Sequence, residues 1–190
     1  EVLGQPLDEP ARFLPGVGAL VEGPALYAGL SGTDNLRVLA AMGAKDPGPI
    51  PDLLELVGLA DRANDRFKEY SLGMKQRLGI AGALLGDPDV LILDEPTNGL
   101  DPIGMREIRE LIARIASEDR TVLVSSHLLS EVEQVCDHLI VIERGTGVYV
   151  GPAGDFQGGA EPVLVVSPEM HDDLRRLHVL VAAEGHDVDL

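Results

Sequence analysis

The stretch from Tyr70 to Pro102, YSLGMKQRLGIAGALLGDPDVLILDEPTNGLDP, constrains this chain more than any other. It joins a polar helix start, a helix stop, a short apolar run and two carboxylates into one unit. Ser71 is placed to cap a helix with Gly73 in its first turn, where free backbone N–H groups gather partial positive charge. Such a tip accepts an anion, and phosphate is the usual one. Behind it Leu78, Ala81, Leu84 and Leu85 recur at helical spacing and predict a buried stripe. Gly86 and Pro88 predict the end of that helix. The run Val90-Leu91-Ile92-Leu93 is short enough for a strand buried on both faces of a parallel sheet. It delivers Asp94 and Glu95 to the strand's carboxyl end, where open α/β sheets hold their ligands.

Adjacent carboxylates at such a strand end suit two tasks. One can hold a magnesium ion, a hard cation that prefers carboxylate and phosphate oxygens. The next can take the proton of an attacking water or orient it. Taken alone, Asp-Glu after an apolar run is no more than a solvated strand-to-loop junction, so the neighbouring motifs carry the argument.

Those motifs resemble the ATP-binding-cassette (ABC) family. Ser71-Leu72-Gly73-Met74-Lys75-Gln76 is similar to its signature motif, in the form found in bacterial drug-export and ABC-2-type cassettes. Leu91-Ile92-Leu93-Asp94-Glu95 resembles the Walker B strand, Gly99-Leu100-Asp101 the D-loop, and His127 the switch histidine. Each short motif alone has a sizeable false-positive rate, whereas four in the family's order do not. The resemblance covers about residues 1–157.

The resemblance implies an α/β fold: a partial P-loop NTPase (ABC ATPase) core over 1–157 with a helical subdomain at about 23–87. Residues 158–190 would be a C-terminal accessory fragment, the start of a small βαβ domain. ATP and Mg2+ are the implied cofactors. Glu95 and His127 are the implied catalytic residues, Ser71, Gly73, Gln76 and Asp101 meet the nucleotide, and Asp94 and Glu22 serve the metal. The implied partners are a transmembrane permease subunit and a second nucleotide-binding subunit, in all expectation a homodimer. Function would then be that of the motor subunit of a bacterial exporter, peripheral on the cytoplasmic face of the membrane through the permease.

Bulk properties agree. An apolar fraction of 45% with 25% charged residues is that of a globular core. Acidic residues exceed basic ones by 32 to 15, a net charge of −17, which disfavours nucleic acid as a partner. Nucleotide binding survives that charge, because backbone dipoles and a metal act locally. Cys136 is the sole cysteine, so no intramolecular disulfide or cysteine cage can form, and a buried structural thiol is expected. No apolar run approaches the ~18–20 residues of a membrane-spanning helix, and Asp8, Glu9 and Arg12 interrupt any signal-like start, so a cytosolic chain is expected.

Along the chain, Val2-Leu3-Gly4 reads as a strand end and turn, and Gly16 to Val21 as a short strand. The loop Glu22-Gly23-Pro24 follows, and Glu22 stands where the family usually has a glutamine. An anion near the γ-phosphate is unusual, and an exposed loop acid is the alternative for Glu22. Thr33–Met42 is helical in pattern with Thr33 as its cap, and Pro51 opens a second helix that stops at Gly58. Arg66 and Lys68 read as surface charges. Asp101-Pro102 is a helix start, and capping explains Asp101 as well as a dimer contact does; the two are compatible. Its helix buries Ile108, Leu111, Ile112 and Ile115.

Thr121–Ser125 is the next buried strand, ending at His127, and Ser130 with Glu133 forms a capping box. A hairpin around Arg144–Gly147 follows, then a linker at Gln157-Gly158-Gly159. Val163–Val166 reads as a strand and Glu169–Glu184 as a helix, with another strand from Asp187. His171, His178 and His186 lack metal-ligand spacing.

One sequence is missing. No G-x-x-x-x-G-K-[ST] run, whose backbone and lysine cradle phosphates, occurs in the 190 residues. The expectation is therefore a cassette truncated before that loop and inactive alone. Two alternatives stand beside it: a non-catalytic ABC-like interaction module, and a DNA-repair or translation ATPase, which would carry long helical insertions that 23–87 does not hold.

Overall fold

The computed structural model describes residues 1–116, 120–128, 134–143 and 146–156, together with the backbone of 178–182. After a short helix α1 (Pro10–Phe13) the chain enters strand β1 (Val17–Leu20). Helices α2 (Gly32–Met42), α3 (Ile50–Leu56) and α4 (Leu72–Leu84) follow, then β2 (Val90–Leu93), α5 (Pro102–Ala116) and β3 (Thr121–Ser126). The remaining strands are β4 (His138–Glu143), β5 (Thr146–Pro152) and β6 (His178–Ala182).

Among the described residues six strands form one sheet in the order β1-β2-β3-β6-β4-β5. β1, β2 and β3 are parallel, with Leu20 opposite Leu93 and Leu93 opposite Val124. That register brings three carboxyl ends to one edge of the sheet, where the residues after each strand become neighbours. β4 and β5 form the expected antiparallel hairpin, whose register shifts between Val141 and Ile142. Arg144 and Gly145 of its turn lie outside the described residues, as do Ser130, Glu133, the 157–159 linker, the 163–166 strand and the strand from Asp187.

The apolar pattern becomes one continuous core. Leu91 and Leu93 are fully buried beneath Leu78, Ile80 and Ala81 of α4 on one side of the chain's order, and Ile108, Ile112 and Ile115 of α5 join the same cluster. Leu36, Leu54, Leu59 and Phe67 of the α2–α4 lobe belong to it too, so the lobe shares its interior with the sheet. The two long helices differ. α5 buries only Ile108, Leu111, Ile112 and Ile115, one stripe as its spacing predicts. α4 buries Gln76, Gly79 and Ile80 in addition to its predicted stripe, because the helix is covered on several sides. Gly18 on β1 is what lets α4 sit so close: a Cβ there would fall 2.1 Å from the Ala83 carbonyl oxygen.

Three expectations change. α2 is capped by Ser31, whose hydroxyl accepts from the Asp34 N–H at 3.0 Å. Thr33 instead donates from its hydroxyl to the Ala63 carbonyl at 3.1 Å, tying the helix start to the following loop. Residues 178–182 of the segment read as a helix are a strand, inserted between β3 and β4 and parallel to both. Finally, Cys136 is half-buried, not fully buried, although burial and the neighbouring Asp137 carboxylate still push its thiol well above the usual range.

Candidate functional site

The site begins where β2 ends. The Asp94 N–H donates to the Leu20 carbonyl at 2.8 Å, continuing the β1–β2 ladder one residue past the strand and holding Asp94 at the sheet's carboxyl edge. The chain then turns sharply: Glu95 has φ +45°, the left-handed region that a non-glycine residue adopts only when its surroundings enforce it. Thr97 and Pro96 are buried beneath the turn that follows.

β3 supplies the other side. Because Leu93 lies opposite Val124, the next pair across the strands is Asp94 and Ser125. The Ser125 hydroxyl accepts from the Glu95 N–H at 2.7 Å and donates to Asp94 Oδ1. Two residues later His127 Nδ1 lies 2.9 Å from Glu95 Oε2. An ionised carboxylate only accepts, so toward one Nδ1 carries the shared proton, and Nε2 is the ring nitrogen that this contact does not engage. The Glu95 side chain is 24% exposed and that of His127 45%, so the pair is half-open to solvent.

Asp94, Glu95 and His127 are thus brought together as one corner. Glu22 lies two residues beyond Leu20, the residue bonded to Asp94, with an exposed side chain and φ +56°. The tip of α4 is a separate feature. The Ser71 hydroxyl accepts from the Met74 N–H at 3.2 Å, the predicted cap, and the serine is exposed. Gly73 packs near Leu100, and Gly99, at φ +73°, packs near Leu72, so the Gly99–Asp101 turn rests on the helix tip. Asp101 is exposed and caps α5, its Oδ1 accepting from the Gly104 N–H at 2.8 Å. No hydrogen bond or ion pair joins Ser71 to the acid corner among the described residues. Gln76 is 4% exposed with its Oε1 unpartnered, so it sits inside the protein and not at the surface where Ser71 lies.

Ser125 is the residue that sequence reading passed over. The signal that could have found it is register: a buried hydroxyl one step past the apolar run Val122–Val124, level with the first carboxylate of the parallel neighbour.

The corner fits a magnesium ion of the usual kind. One oxygen of Asp94 is held by Ser125 and the other is left for the metal or its water, and Mg2+ commonly takes one or two carboxylates with water and phosphate completing the shell. No cluster of three or more metal-ligating side chains occurs among the described residues. No helix among those residues is long and apolar enough to cross a membrane.

Comparison with known proteins agrees with this geometry. A family model described as "AAA domain, putative AbiEii toxin, Type IV TA system" matches residues 12–133. The ABC transporter ATP-binding protein YhcH of Bacillus subtilis is 52% identical over 139 residues, covering 72% of this chain and 46% of the relative. The lantibiotic transport ATP-binding protein SrtF of Streptococcus pyogenes is 48% identical over 134 residues, 70% of this chain and 58% of the relative. The chain therefore spans about half the length of these curated relatives. Among solved structures, cbiO1 of Clostridium perfringens, part of the ABC transporter complex cbiONQ, superposes with a TM-score of 0.69 at 27% identity. That match covers 78% of this chain and 61% of the other. The AAA-domain match falls on strands β1–β3 and the corner, the solved structure repeats the fold, and the sequence identity narrows the assignment: the chain belongs to the family of ABC transporter ATP-binding subunits.

Proposed function

We propose that this chain is part of the motor of a transporter, in which Mg-ATP hydrolysis at the Asp94–Glu95–His127 corner drives movement of a substrate through a membrane partner. The observation that carries this is the contact of His127 with Glu95 at 2.9 Å, beside an Asp94 already fixed by Ser125. Bound Mg-ATP supplies the transferable phosphoryl group and the cation that spreads its developing charge. Asp94 holds the cation's shell through its second oxygen. Glu95, with Oε1 free while His127 engages Oε2, accepts the proton of the attacking water. His127, through the Nε2 that Glu95 does not engage, orients the phosphate or the water.

Ser71 and Gly73 at the α4 tip serve the same reaction from the other side: the N–H groups of the first turn meet the γ-phosphate held by a second copy of the chain. That copy is the homodimer partner, and Asp101 lies at the contact. Glu22 serves the metal-bound water. SrtF, a lantibiotic transport ATP-binding protein, supports a role in transport, and cbiO1, part of an ABC transporter complex, supports assembly with partner subunits, which we take to include a permease working in export. The subunit then works at the cytoplasmic face of the membrane, and its charge of −17 keeps nucleic acid away.

A second reading, a non-catalytic interaction module, is favoured by one fact alone: the 190 residues contain no phosphate-cradling loop with its lysine. Steady-state Mg-ATP turnover separates the two. The 190 residues alone are expected to turn over no ATP, and a longer version carrying such a loop ahead of Glu1 is expected to hydrolyse it. Glu95→Gln in that version should lower kcat by about 100-fold or more. A longer version with no turnover at all would favour the interaction module, and turnover indifferent to Glu95→Gln would remove Glu95 as the base.

A further inference from the structure

We propose that Ser125 is a positioning residue that sets the Asp94–Glu95 corner: its one hydroxyl fixes the metal-side carboxylate and the strained Glu95 backbone together, and so aims Glu95 at His127. The inference rests on the reading of Asp94 and Glu95 given above.

Proton counting shows what the hydroxyl does. It receives the Glu95 N–H on a lone pair, so its only proton must go elsewhere, and the acceptor in reach is Asp94 Oδ1. Oδ1 must then be unprotonated, and Oδ2 becomes the oxygen offered to the cation. The same bond satisfies the peptide N–H that leaves the β2 ladder. Without it, that N–H would sit beside a 5%-exposed site with no acceptor, a costly arrangement.

The backbone at Glu95 makes the bond more than a convenience. At φ +45° a glutamate is strained, and only its surroundings hold it there. Turning that peptide back toward an ordinary conformation would swing the side chain away from His127, because the direction of Cα–Cβ follows the backbone. The neighbouring serine does nothing comparable. Ser126, equally buried, accepts among the described residues from the Leu128 N–H at 3.1 Å, a bond local to its own turn. A buried hydroxyl after the apolar run Val122–Val124 is thus spent on the partner strand's acids in one case and on a turn in the other.

The test uses nuclear magnetic resonance of the 190-residue chain and needs no turnover. In Ser125→Ala the Glu95 amide should lose about tenfold or more of its protection from hydrogen exchange, while amides of α5 around Ile112 keep theirs. The His127 ring resonances should move toward those of a histidine without a carboxylate partner. Ser125→Thr, which keeps the hydroxyl, should restore both. If Ser125→Ala does not fold, Ser125→Cys, matched in size with a weak donor, replaces it under the same expectation. Unchanged Glu95 protection and unchanged His127 resonances in the hydroxyl-free variant overturn the proposal, as does equal loss across α5, which would mark a merely structural serine. Mn2+ added as a stand-in for magnesium separates this from the functional reading. Broadening centred on Asp94 that is lost in Asp94→Asn supports the metal assignment; broadening indifferent to Asp94→Asn removes that assignment, while the Glu95 exchange still decides the role of Ser125.

Discussion

The corner at the ends of β2 and β3 and the tip of α4 are both polar surfaces laid on an apolar scaffold, yet one is closed on itself and the other is open. In the corner every reactive group has a partner in the same chain: Asp94 on Ser125, the Glu95 N–H on Ser125, and the Glu95 carboxylate on His127. At the tip, among the described residues, the Ser71 hydroxyl bonds to the N–H of Met74 and its carbonyl to the N–H of Lys75, both in its own helix, and the serine is exposed. A preorganised corner is what a reaction centre needs, since groups already oriented need no rearrangement as charge develops. An open helix tip is what a contact for someone else's phosphate needs. The contrast supports the proposal that the two serve opposite sides of one nucleotide.

The largest effect is expected at the seat of α4 on β1, the strand that pairs with β2 and its corner. α4 carries the tip, and its seat on β1 sets where that tip stands relative to the carboxyl edge of the sheet. Gly18→Ala places a methyl group 2.1 Å from the Ala83 carbonyl oxygen, a backbone atom, and 2.9 Å from Pro88 Cγ in a closed ring. Neither neighbour is the flexible end of a side chain, so the helix or the strand must move. The expected loss is about 3 kcal/mol of stability, the upper end for overpacking, seen as a lower thermal midpoint by calorimetry. If the midpoint is unchanged, α4 is not held against β1 as closely as the packing shows.

A smaller change should touch one region and spare the other. Ser71→Ala removes the cap of α4 and is expected to cost about 1 kcal/mol, whereas Ser71→Gly should cost only a few tenths. Chemical denaturation measures both. Because no hydrogen bond or ion pair joins Ser71 to the corner among the described residues, the Glu95 amide and the His127 ring should keep their wild-type resonances in either variant. Movement of those resonances would show that tip and corner are coupled within one chain, and the contrast drawn here would fail.

The parts of this architecture that could be read from sequence are those set by local pattern. Val90–Leu93 carries its apolar run and its length, α5 carries Asp101-Pro102 and a single stripe, and Ser71 stands at a helix start; each forms where its pattern puts it. What escaped is set by tertiary partners. Thr33, the expected cap, is drawn to the Ala63 carbonyl 30 residues away, and Ser31 caps the helix instead. At 178–182 the spacing of Leu177 and Val181 suits a helix, but Val179 and Val181 also alternate as a strand does, and the open slot between β3 and β4 decides. α4 looked one-sided, and its full burial follows from neighbours on several sides that a helical wheel does not contain. Ser125 escaped for the same reason. Its role exists only across the β2–β3 register, and nothing in the run TVLVSS marks one serine over the next.

The smallest expected effect separates two roles that coincide in Asp101. Its Oδ1 accepts from the Gly104 N–H at 2.8 Å and so caps α5, and the residue is also exposed on the turn that rests against the α4 tip. Asparagine caps as well as aspartate, so Asp101→Asn should leave stability within a few tenths of a kcal/mol, while Asp101→Ala should cost about 0.5–1 kcal/mol. Both follow from capping alone. If the carboxylate also meets a second copy across the nucleotide, Asp101→Asn should weaken ATP-dependent association of the longer, loop-bearing version, read by sedimentation, although its folding is intact. Equal association of Asp101→Asn and wild type would leave the residue a cap and nothing more, and would assign contact between copies to Ser71 and Gly73 alone.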